Sequence, residues 1–242
     1  MRDGRDDDLT VRIEDDLGVP VAVCTGRLTV ATSSTLRGAL GKQLLDRGRL
    51  LIEVDGLQPT SSAHTAVFSS VLARSGGWPT ARMVVVGTGQ LVTVMRLAGN
   101  EREVPIAADR AAGLARLDHA PDRVRRTTEL PGAVRATRYV RELVRVACSD
   151  WDIPDEVRDR AMVVADELVA NAVQHTRGPA ELALTMDAQG LRVSVRDGSS
   201  TLPPSTPDPM HGLAVVAALG DAQGVSPHLD GKTVWVLLRR PD

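Results

Sequence analysis

The chain has 242 residues, of which 43% are hydrophobic, 25% charged and only 2% aromatic, and its formal net charge is -2. That length suits two domains, each able to bury a core, while the near-neutral charge and scarcity of rings disfavour nucleic acid or an anionic membrane as partner. No run approaches the ~18 apolar residues of a spanning helix, and the charged opening MRDGRDDDL is unlike a signal peptide, so a cytoplasmic protein is expected.

Residues 1–8 read as a disordered acidic tail. Leu9 to Ile13 and Val19 to Cys24 are β-branched runs separated by the turn signal DDLG, which predicts a hairpin. A helix follows through Leu36, Leu40, Leu44 and Leu45, with Ser33 or Ser34 as N-cap. Arg49 to Val54 is a buried strand, Ala63 to Leu72 a second helix ended by Ser75-Gly76-Gly77, and Arg82 to Val86 a further buried strand. Gly87-Thr88-Gly89 opens a third helix, Leu91 to Leu97; without the other glycines and the lysine of a phosphate loop, it reads as a tight strand-to-helix turn. A short strand around Val104 to Ile106 and a helix over Ala111 to Leu117 close this half. Strands and helices in alternation predict an open α/β sandwich. Cys24 in a strand and Cys148 in a later helix form no CxxC pattern and read as small core residues. All but two of the 29 basic residues are arginines; the lysines are Lys42 and Lys232.

This order of elements over 9–117 resembles the STAS domain, the fold of anti-sigma-factor antagonists. Phosphorylation-regulated antagonists carry D-S-S-G at a strand-to-helix turn, and this chain reads Thr60-Ser61-Ser62-Ala63 there, so Ser61 occupies the position of the phosphoacceptor. A phosphate at a helix N-terminus meets free N–H groups and the positive end of the dipole. The alternative is that Thr60, Ser61 or Ser62 only caps the helix. Both flanks, Thr60 and Ala63, depart from the family pattern.

Residues 118–126, DHAPDRVRR, are polar and aperiodic and read as a linker, with a second domain over 127–242. A helix from Pro131 carries Val134, Thr137, Val140, Leu143, Val144 and Ala147. The next, Asp155 to Thr176, has an apolar stripe of Val157, Ala161, Val164, Leu168 and Ala172 on a 100° wheel. Asn171 falls inside that stripe, His175 at its centre, and Glu167 at its margin one turn before Asn171. An amide or carboxylate buried there without partners costs roughly 2–7 kcal/mol, so something polar should meet this face. Three strands follow, Ala180 to Met186, Leu191 to Val195 and Thr233 to Leu238. A proline-rich loop and a short helix, Leu213 to Leu219, lie between the last two. Helices on one face of such a sheet predict an α+β sandwich.

ELVANAVQH, then VRDGS, HGL opening a helix and GKTVW in the last strand together resemble the ATP-binding (Bergerat-type) domain of the gyrase, histidine-kinase and MutL superfamily (GHKL), most closely its anti-sigma-factor serine kinases. The fold class expected is therefore an α/β STAS-like sandwich followed by an α+β GHKL kinase sandwich. The resemblance implies Asn171 as ligand of the Mg²⁺ bridging the ATP phosphates and Glu167 as the catalytic base acting on the attacking hydroxyl. It implies Asp197 as acceptor from the adenine amino group and Gly198 as the residue admitting the base. Gly212 and Leu213 open the phosphate-facing helix, and Thr233 supports the adenine pocket. Met210 stands where relatives have a glycine, and Ser200 where the second glycine of DxGxG falls.

Together these features imply a cytoplasmic partner-switching regulator of sigma-factor activity. It would bind Mg-ATP, sequester a sigma factor and phosphorylate a STAS antagonist, with a second copy as a further partner through the ATP-binding half. The alternative is a non-catalytic ATP-binding docking protein with a degenerate kinase site.

Overall fold

The computed structural model describes residues 9–130, 136–176, 178–199, 201 and 212–240. The acidic tail, Pro131 and Val134, the proline-rich loop with Met210 and His211, and the side chains of His175, Gly212 and Leu213 lie outside the described set. The chain divides into two compact units, Met1–Val124 and Arg125–Asp242.

The first unit is built on a five-stranded sheet in sequence order: β1 (Thr10–Asp16), β2 (Val19–Leu28), β3 (Arg49–Pro59), β4 (Arg82–Val86) and β5 (Ile106–Ala107). β1 and β2 form the expected antiparallel hairpin, and the remaining neighbours are parallel. Because parallel strands need crossovers, helices lie between them: α1 (Val30–Arg47), α2 (Ala66–Arg74) and α3 (Gln90–Leu97), and α4 (Arg110–Arg116) follows β5. Alternate strand residues point to opposite faces. Ala22, Cys24, Leu50, Ile52, Met83 and Val85 therefore meet Leu36, Leu40, Phe68 and Met95 from α1, α2 and α3. Val21, Leu51, Val84 and Val86 meet Leu114 and Leu117 from the α4 side. Burial pushes the Cys24 thiol up to about 12, as suits an inert core residue.

α1 is capped four residues before Ser33, the earlier of the two serines expected to cap it. Thr29 takes the role, because its hydroxyl accepts from the Thr32 N–H at 3.2 Å while the Thr32 hydroxyl accepts from the Thr29 N–H at 2.8 Å. The Gly87-Thr88-Gly89 turn is no phosphate cradle either. Asp55 Oδ1 accepts from the N–H groups of Thr88 and Gly89, both at 2.8 Å, so the amides at the start of α3 already hold a carboxylate.

The second unit is a five-stranded sheet ordered β6-β7-β8-β10-β9, from β6 (Val124–Leu130), β7 (Ala180–Asp187), β8 (Gly190–Asp197), β9 (Ala222–His228) and β10 (Gly231–Leu238). α5 (Ala136–Asp150), α6 (Asp155–His175) and α7 (Gly212–Leu219) complete it, with α6 against β7, β8 and β10 and flanked by α5 and α7. This is the α+β sandwich expected, following the α/β sandwich expected of the first unit.

Two strands differ from expectation, and both lie at sheet edges. β6 takes up residues read as the end of a linker, and β9 was not expected. Edge strands tolerate polar residues, glycine and proline that a central strand excludes, so VRRTTEL and AQGVSPH carry no clear strand pattern. Arg126 in β6 is buried by an ion pair to Asp150 at 2.7 Å and by stacking on Trp151 at 5.6 Å from the ring centre.

Candidate functional site

The polar face of the second unit begins on α6. Val157, Ala161, Val164, Leu168 and Ala172 are all buried, as the wheel predicted. Asp166, which the wheel left outside the stripe, is buried too, because Arg141 of α5 covers it in an ion pair. Glu167 and Asn171 are half-buried beside the stripe, and no hydrogen bond or ion pair ties either side chain to another described residue. Spaced by four residues, they share one side of the helix. A free carboxylate and a free amide one turn apart can bind a hard cation and accept a proton.

The C-terminal end of α6 approaches the end of β8. There the Asp197 side chain is nearly inaccessible, and its Oδ1 is surrounded by donors: the Ser199 N–H at 2.8 Å, Lys232 Nζ at 3.0 Å and the Thr176 hydroxyl at 3.5 Å. Its Oδ2 is buried with no partner. A buried carboxylate oxygen without a donor is costly, and with three donors on its twin this one is left able to accept a further hydrogen bond.

Gly198 stands beside it, and a Cβ there would meet only the Asp230 carbonyl, at 3.9 Å. Packing among the described residues therefore does not demand glycine at 198. Gly231 is different. It has φ +146°, and a Cβ would overlap the Asp197 carbonyl, so only glycine lets β10 start this close to β8.

Thr233 does not join the group it was expected to support. The register pairs Lys232 with Asp197 and Thr233 with Arg196, and directly opposed residues share a face. Lys232, Val234, Val236 and Leu238 point inward, whereas the Thr233 hydroxyl lies on the other face, 2.8 Å from His228 Nε2. The residue beside Asp197 is therefore Lys232, which sequence reasoning had noted only as one of two lysines. The strand period alone does not select it, since which of the two neighbours faces the core follows only from the register of β10 with β8.

Gly212 opens α7 and Leu213 follows in its first turn. The far end of α7 is anchored by Arg160 of α6, which donates to the Leu219 carbonyl from Nε at 3.0 Å and forms an ion pair with Asp221 at 2.8 Å. In the first unit, Ser61 is exposed at the head of a single 3₁₀ turn, Ser62–Thr65, and its hydroxyl accepts from the Ala63 N–H at 3.3 Å. Thr60 is held by the Leu28 carbonyl at 2.9 Å and by His64 Nδ1 at 3.0 Å.

Residues 130–237 match the family model described as the histidine kinase-like ATPase domain. The matched residues lie within the second unit. No curated protein matches the chain. Solved structures similar to it include an anti-sigma factor antagonist from Mycobacterium paratuberculosis, with TM-score 0.41, 21% identity and coverage of 46% of this chain and 96% of that one. Another is the structure of the RsbU and RsbW domains of Rv1364c from Mycobacterium tuberculosis, with TM-score 0.39, 21% identity and coverage of 48% of this chain and 32% of that one. The chain thus spans 32% of the length of the latter.

Proposed function

We propose that the chain is a partner-switching regulator of sigma-factor activity whose second unit binds Mg-ATP and transfers phosphate to a serine of a STAS antagonist. The observation carrying this reading is the buried, unpartnered Oδ2 of Asp197, in residues that match the histidine kinase-like ATPase model, on the same sandwich as Glu167 and Asn171, which have no partner among the described residues. The donor set fits the ligand: a fixed acceptor for an exocyclic amine, Gly198 beside it for the base, an amide oxygen for a hard cation and a free carboxylate for a proton. Bound Mg²⁺ would neutralise charge building on the phosphates.

Asn171 holds that cation through its amide oxygen, Asp197 fixes the base, and Gly212 offers backbone N–H groups to a phosphate. Glu167 orients the attacking serine hydroxyl and takes its proton. The first unit, with its STAS-like order, supplies the surface on which antagonist or sigma factor is exchanged.

Mutants at the paired residues test the assignment. Asn171→Ala should abolish Mg-dependent ATP binding, whereas Glu167→Gln should retain binding and lose phosphotransfer by roughly 10²–10⁴. Equal ATP affinity in the wild type and Asn171→Ala would remove Asn171 from the site. Unchanged phosphotransfer in Glu167→Gln would remove Glu167 as the base, and no phosphotransfer by the wild type would leave a docking protein rather than a kinase.

A further inference from the structure

Lys232 is the most deeply buried cation in the described chain, with its side chain 2% exposed and that of Asp197 1%. A buried ion pair is a poor device for stability, since apolar residues of similar volume commonly do as well or better. Its arrangement has another feature. The ammonium carries three N–H donors. One meets Asp197 Oδ1 at 3.0 Å, a second is 3.4 Å from the Ser199 carbonyl, and the third has no acceptor among the described residues. The other oxygen of the carboxylate that Nζ meets, Asp197 Oδ2, is buried and unpaired. The pair thus offers one acceptor and one donor on adjacent groups, both withdrawn from water.

We propose that Lys232 is a second base-reading residue: with Oδ2 of Asp197 accepting from the N6 amino group of adenine, Lys232 Nζ donates to the neighbouring ring nitrogen N1. The inference rests on the nucleotide reading above and adds to it the edge of the base that is recognised. Adenine's Watson–Crick edge presents a donor beside an acceptor, the complement of this pair. Gly231 makes the arrangement possible, because its lack of a Cβ brings β10 against the Asp197 carbonyl and seats the next residue opposite the carboxylate. Lys232 also acts as a positioning residue, since holding Oδ1 leaves Oδ2 as the free acceptor.

The test is equilibrium titration of the full chain, in the presence of Mg²⁺, with ATP, 1-deaza-ATP and 7-deaza-ATP. The wild type should bind 1-deaza-ATP about tenfold or more weakly than ATP, the worth of a hydrogen bond to a charged group, and 7-deaza-ATP like ATP. Lys232→Met should weaken ATP and bind ATP and 1-deaza-ATP equally, a loss of discrimination that mere destabilisation does not produce. Equal binding of ATP and 1-deaza-ATP by the wild type, or a penalty only for 7-deaza-ATP, would overturn the role of Lys232 while leaving the nucleotide site intact. Failure of the wild type to bind ATP at all would overturn both. Should Lys232→Met not fold, the wild-type series decides alone.

Discussion

The single side chain on which most of the site depends is Asp197. Its carboxylate compensates the Lys232 ammonium, the Ser199 N–H and the Thr176 hydroxyl, all within the same buried spot. Asp197→Ala would leave an ammonium in the core with no counter-charge, so a loss of about 3–5 kcal/mol of stability is expected. The double variant Asp197→Ala with Lys232→Met should recover much of it. Urea denaturation measures both, and a single variant as stable as the wild type would show that the pair is not buried in solution. The sequence pointed to Asp197 only through the resemblance that the VRDGS motif carries. It could not point to Lys232, because GKTVW places lysine and threonine side by side, and which of them faces inward depends on the register of β10 with β8.

At the scale of elements, α7 and the β9–β10 edge are tied to α6 through Asp221. Its carboxylate accepts from the Arg239 N–H at 2.7 Å and pairs with Arg160, and these two partners hold its pKa below the ordinary aspartate value. A carboxylate with a lowered folded pKa contributes stability above its unfolded value of about 3.9 and loses it as pH falls through the lower folded one. The second unit should therefore weaken as the medium is acidified below about pH 4. Asp221→Asn should be less stable than the wild type at neutral pH and show a smaller further loss on acidification. Thermal melts at pH 7 and pH 3 decide it, and parallel pH curves for the two proteins would contradict the assignment. Helix existence was legible from periodicity alone, as the buried stripe of α6 shows. The starts were less so: α1 is set by the reciprocal Thr29–Thr32 hydrogen bonds rather than by the serines that followed.

For the whole molecule, the division into two units predicts two unfolding events. A ligand of the second unit stabilises that unit alone, by about 2.7 kcal/mol at a hundredfold excess over its Kd. Mg-ATP should raise one transition in a calorimetric melt and leave the other in place; a common shift of both would mean that the units unfold as one. A related expectation concerns Ser61. A short tether between the units would by itself favour modification of Ser61 in cis. Its flanks oppose modification, however, with Thr60 bound into the Leu28 and His64 contacts and Ala63 in place of glycine. After incubation with Mg-ATP, intact-mass measurement should show no stoichiometric phosphate. A full phosphate gain that vanishes in Ser61→Ala would make the chain a self-modifying switch.

The sequence by itself determined which segments bury an apolar face, and hence the two sandwich classes, the central helix with Glu167 and Asn171, and Asp197 at a strand end. These follow from local periodicity, which a helix or central strand must display to be buried at all. Only the tertiary structure decided the edge strands β6 and β9, the burial of Asp166 under Arg141, and the exchange of Thr233 for Lys232 at the site. Each of these depends on a neighbour distant in the chain. An edge strand is defined by the one partner it pairs with, a buried charge by the cation that covers it, and the face of a strand residue by a register that the strand's own residues do not contain.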